Sequence, residues 1–67
     1  MEFKLKNGFI ELDNLLKVLN FVACGSEAKA LILNGKVMVN DVIEMRVRRK
    51  LHHGDSVQIG DVEVAVV

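Results

Sequence analysis

A chain of 67 residues holds a single domain, and its nine basic and nine acidic side chains leave no net charge with which to attract a polyanion. At 51% apolar residues it is a folded globule rather than a disordered tail. A chain this short buries only about 60% of its unfolded surface, and with no tryptophan or tyrosine any aromatic stacking on bases rests on three phenylalanines.

The chain opens with "EFKLKNG", where Phe3 and Leu5 alternate with Lys4 and Lys6 at the period of a short half-buried strand. Asn7-Gly8 is a turn signal. In "IELDNLLKVLNF", Leu12, Leu15, Leu16 and Leu19 fall on one helical stripe, with Asp13 in the first turn where a carboxylate suits the dipole. "CGSEAKALILNG" predicts a second helix, opened by Gly25-Ser26, buried through Ala28, Leu31 and Ile32, and stopped by Gly35 at the C′ position. Only a few residues separate the two helices, so they pack as a helical hairpin.

After Gly35 the period falls to two. "KVMVNDVIEM" reads as strand, Asn40-Asp41 turn and strand, with Val37 and Val39 on one face. "SVQIGDVEVAVV" predicts two more strands around a two-residue Gly60-Asp61 hairpin, with Val62, Val64 and Val66 lining the core. The fold class is α+β: a helical hairpin on a small, mostly antiparallel β-sheet, one domain over residues 1–67.

Catalysis would need a nucleophile with a base, paired carboxylates or a metal cluster. Cys24 is the one thiol, and its neighbours Gly25 and Ser26 supply no base. Adjacent side chains of an extended segment point apart, so His52 and His53 do not form a metal site by themselves, and no spacing completes a tetrahedron. No glycine-rich phosphate cradle occurs. The expectation is a non-enzyme without cofactor or metal. A lone cysteine, no apolar run near the ~20 residues of a membrane span and no apolar leader at "MEFKLKNGF" point to a cytoplasmic protein.

Between the two β units lies "MRVRRKLHHGD", in which Arg46, Arg48, Arg49 and Lys50 occupy four of five consecutive positions with no acid from Met45 to His53. Charge runs are usually solvated surface. This one is arginine-rich, and the planar guanidinium fork suits bidentate phosphate contacts, which points to nucleic acid, with a negatively charged protein patch, an anionic lipid or plain solvated surface as the alternatives. Exposed charges contribute little to stability, so alanine at Arg46, Arg49 and Lys50 together is expected to leave the fold intact.

From Ile10 to Ile59 the order of elements resembles the RNA-binding domain named after the fourth small-subunit ribosomal protein, the S-four or αL domain. The matching stretches are "LDNLLKVLNF", "SEAKALILNGKVMVND" and "RVRRKLHHGDSVQI". Length and ribbon look most like the small stand-alone bacterial members. The resemblance implies non-catalytic binding of structured RNA, ribosomal or transfer RNA, in ribosome assembly or translation. Carried over by position, the contacts are Lys29 on the second helix, Arg46, Arg49 and Lys50 in the ribbon, and Lys17 on the first helix; Arg48 is a local addition. The chain departs from the family pattern at Glu11 and Gly25, where arginines are common, which shifts weight from the helices onto the ribbon.

Three to five phosphate contacts imply a log–log salt slope of roughly −2 to −4. The rival reading is a protein-binding module that offers the edge of "VEVAVV" for strand addition. DNA is a weaker third, since no helix carries a pattern of base-reading polar residues.

Overall fold

Elements follow in the order β1 (Glu2–Phe3), β2 (Ile10–Glu11), α1 (Leu12–Val18), α2 (Gly25–Leu33), β3 (Val37–Val39), β4 (Val42–Ile43), β5 (Lys50–Leu51), β6 (Ser56–Ile59) and β7 (Val62–Val66). The computed structural model describes every residue from Met1 to Val67. The expected α+β architecture is present. One sheet has the strand order β1-β7-β6-β3-β4, and β2 and β5 form a separate two-stranded ladder.

Both helices end by the same device. Asn20 (φ 64°) and Gly35 (φ 73°) adopt the left-handed conformation after the last helical turn. The N–H of Phe21 donates to the Leu16 carbonyl and that of Asn20 to Lys17; Lys36 donates to Leu31 and Gly35 to Ile32. These crossed bonds satisfy carbonyls that the helix itself leaves free, and they define the Schellman motif. Gly35 is the expected stop; Asn20 takes the same role at the first helix without being glycine, and Leu19 becomes the C-cap of α1.

At its start α2 differs from expectation. It begins at Gly25, but Cys24 is the N-cap and makes no side-chain capping bond, so Ser26 lies inside the helix. Glu27 instead reaches back and accepts from the Ala23 N–H at 2.7 Å.

One core joins the layers. Leu12, Leu15, Leu16, Ala28 and Ile32 of the helices pack with Val37, Val39, Val57, Ile59, Val64 and Val66 of the sheet, and Leu51 closes the side. The strand register explains the selection: Val37 pairs with Ile59, Val39 with Val57 and Val57 with Val64, so the β-branched residues share one face. Leu31 and Val62 are half-buried at the margin.

Asn40 and Asp41 both have positive φ (51° and 69°), as a type I′ hairpin requires. Asn40 also ties this turn to the next hairpin, donating to the Asp55 carboxylate and accepting from the Ser56 N–H. At the β6–β7 turn only Gly60 has positive φ (59°), the type II′ requirement.

The chain's opening strand corrects the rival functional reading. β1 pairs in parallel with β7, and β6 pairs with its other side, so "VEVAVV" is an interior strand with no free edge. The sheet's edge strands are β1 and β4, and at β4 Val42 and Ile43 are 67% and 56% exposed.

Candidate nucleic-acid interface

The basic ribbon is built into the helical hairpin. α1 has no side-chain N-cap. Its first free N–H groups, on Leu12 and Asp13, donate to the carbonyls of Arg49 (2.8 Å) and Val47 (3.1 Å). An orphan helix terminus and an irregular loop thus satisfy each other. Ile10 then pairs with Leu51 and Glu11 with Lys50 across the β2–β5 ladder. Leu51 is fully buried and Val47 packs against the core, which leaves Arg46, Arg48 and Lys50 projecting outward.

Two of the four ribbon cations already have a partner. Glu44, the one buried charged residue, is 7% exposed. Its Oε2 accepts from Arg46 Nε and from the Arg46 backbone N–H, both at 3.0 Å; its Oε1 accepts from Arg46 Nη2 at 3.2 Å and Arg49 Nη1 at 2.6 Å. These charge-assisted bonds, those from Arg46 foremost, outweigh desolvation and hold the Glu44 carboxyl at about 2, well below its ordinary 4.5. Glu44 in turn raises the Arg46 guanidinium through the same bonds.

This overturns the expectation that alanine at Arg46, Arg49 and Lys50 leaves the fold intact. Removing both arginines would strand a buried carboxylate, a far larger penalty than the loss of exposed charge. The acid lies one residue outside the ribbon, and its pairing at i+2 and i+5 across irregular backbone follows no helical or strand period. A carboxylate two residues before the first arginine was the available signal.

The four ribbon cations and Lys29 line two neighbouring depressions. One is lined by Arg46, Arg48, Arg49, Lys50, His52 and Asp55. The other is lined by Asp13, Gly25, Ser26, Lys29, Val47 and Arg48. Arg48 belongs to both and links the ribbon to α2, where Lys29 stands. Lys17, half-buried in the last turn of α1, lines neither depression.

His52 and His53 are exposed, and no group of three His, Cys, Asp or Glu side chains is arranged to hold a metal. The turn is organised by Asp55, whose carboxylate accepts from the His52 N–H at 2.7 Å. That bond, then the one from Asn40 and the nearby Arg49 charge, holds the Asp55 carboxyl below the usual range. Glu11, where the family pattern has arginine, stands opposite Lys50 and reduces the positive charge on that face. No helix is long and apolar enough to cross a membrane.

A family model described as the S4 domain matches residues 3–67. The chain belongs to the S4 domain family. Among solved structures, this S4 domain is similar to YbcJ from E. coli, whose solution structure is described as revealing an αL motif involved in RNA binding. The two share 36% identity with a TM-score of 0.72, over 98% of this chain and 85% of that one. A comparison with curated proteins finds no significant match. The resemblance read from "ILNGKVMVND" and the basic stretch after it therefore identifies the right family.

Proposed function

We propose that this S4 domain is a non-catalytic module that binds structured RNA, ribosomal or transfer RNA, through phosphates and helical shape, and that it acts in the cytoplasm in ribosome assembly or translation. The observation that carries this reading is that Arg48 lines both depressions, which sets Lys29 of the second helix beside the ribbon, with Asp13 and Asp55 the acidic members of their walls. A-form RNA has a major groove too deep and narrow for side chains, so duplex RNA is held mainly by phosphate, 2′-hydroxyl and shape contacts. A surface of arginine and lysine on rigid backbone suits that target. The αL motif of YbcJ, involved in RNA binding, supports the RNA-binding part of this assignment.

Within this surface the cations divide the work. Arg48, Lys50 and Lys29 have no acidic partner within 4.0 Å and are free for phosphates, whereas Arg46 and Arg49 are oriented by Glu44. Lys17 contributes from the far end of α1 at most as a peripheral charge. Titration of a structured ribosomal RNA fragment at several salt concentrations tests the proposal. Three to five contacts predict a log–log slope of roughly −2 to −4, shallower by about 0.7–0.9 for each of Lys29, Arg48 and Lys50 replaced by alanine. Absent or salt-independent affinity would overturn it.

A second reading rests on the β4 edge, where exposed Val42 and Ile43 adjoin exposed Met45. Strand addition there would recruit a protein. A partner captured by pull-down and retained after ribonuclease digestion would favour this reading; one lost on digestion would return the weight to RNA.

A further inference from the structure

Of the three phenylalanines, Phe3 and Phe21 pack against the core and Phe9 does not. Phe9 is 44% exposed, although burial of an aromatic ring is strongly favourable. The local fold accounts for this. In the β2–β5 ladder Ile10 faces Leu51 on the inner side, so Glu11 and Lys50 face outward. Continuing the register by one residue sets Phe9 opposite His52 on that same outer face. The Phe9 and His52 ring centroids lie 6.2 Å apart at an interplanar angle of 47°, and the Lys50 ammonium sits 4.9 Å from the Phe9 centroid.

Lys50 and His52 also line the ribbon's depression, so the ring stands at the edge of the cationic surface. Phe9 also lines a half-apolar groove whose polar walls are Lys4, Lys6, Asn7, Asn14 and Glu11. An exposed π-face between cations is the chemistry that receives a nucleobase: the ring stacks and the cations take the flanking phosphates. Glu11, on the same face, bounds the site at its inner end.

We propose that Phe9, flanked by Lys50 and His52, is a stacking seat for one unpaired base of the bound RNA, so that the protein favours a duplex interrupted by a bulge or a single-stranded junction. This rests on the RNA-binding reading above. In the free protein the Lys50 ammonium covers one face of the ring. A base taking that face displaces the ammonium, whose flexible four-carbon stem lets it turn to the adjacent phosphate. The aromatic contact then supplies what phosphate contacts lack, discrimination between paired and unpaired nucleotides.

The test compares a fully paired RNA hairpin with the same hairpin carrying one bulged 2-aminopurine, against wild type, Phe9→Leu and Phe9→Trp. Wild type should bind the bulged hairpin about 5- to 100-fold more tightly, with quenching of the 2-aminopurine fluorescence. Phe9→Leu should lose both the preference and the quenching while keeping wild-type affinity for the paired hairpin, which also shows that it is folded. Phe9→Trp should retain the preference. If Phe9→Leu binds both hairpins as wild type does, or weakens both equally, the seat is refuted and the RNA-binding reading stands. If wild type binds neither hairpin, the RNA-binding reading fails and the seat falls with it.

Discussion

Replacing Glu44 with glutamine probes the residue on which the ribbon's order depends. The side chain keeps its size and two polar atoms but loses the charge that Arg46 and Arg49 share. The difference between the ordinary 4.5 and about 2, at 1.36 kcal/mol per pH unit, sets a ceiling of about 3 kcal/mol on what the ionised carboxylate contributes to folding. Solvent screens the Arg46 side of the cluster, where that side chain is 72% exposed, so about 1–3 kcal/mol is expected at neutral pH. That is a large part of the stability of a small domain. The sign follows from linkage. A carboxyl whose folded value lies below its unfolded one stabilises fully above about 4.5, and that contribution is lost as pH falls toward 2. Urea unfolding of wild type and Glu44→Gln across this range should therefore show a gap that is widest at pH 7 and closes in acid. Equal stability at pH 7, or a gap that does not change with pH, would refute the reasoning.

Three other perturbations have defined outcomes. Leu15→Ala removes a fully buried leucine between helices and sheet and should cost about 2–5 kcal/mol by urea unfolding. Gly35→Ala should cost about 1–2 kcal/mol through backbone strain alone, because φ is 73° and an added Cβ would meet only Ile43 Cγ2 at 4.0 Å. Arg49→Ala should lower stability, by about 1–3 kcal/mol, as it strips one partner from a buried carboxylate, whereas Arg48→Ala should leave the melting temperature unchanged and weaken RNA binding. Parallel thermal melts and RNA titrations of these last two variants check that division.

Much of this fold was legible in the chain because its signals are local. The leucine stripe from Leu12, Gly35 after the second helix, and Asn40-Asp41 between two valine-rich runs each report on neighbours a few residues away. What was missed depends on distant segments. β1 joins β7 across the whole length of the chain, and nothing in "EFKLKNG" specifies a parallel partner. The β2–β5 ladder is two residues long, too short for any periodicity to declare itself, yet it turns Phe9 outward beside Lys50. Asn20 ends α1 in a conformation that glycine would advertise and asparagine does not.

The proposed interface was legible as composition and hidden as arrangement. A cluster of Arg46, Arg48, Arg49 and Lys50 is visible to anyone counting charge, but Glu44 divides it into oriented and free members. Arg48, a local addition to the family pattern, occupies the junction of the two depressions. Lys17 matches the pattern by position but lies apart from both.

Amide chemical-shift mapping by NMR during titration with a structured ribosomal RNA fragment tests the central claim most directly. The account predicts saturable, salt-sensitive shifts over Arg46–Lys50 and around Lys29, with the β4 edge at Val42 and Ile43 unmoved. Shifts confined to that edge, or none at all, would contradict it.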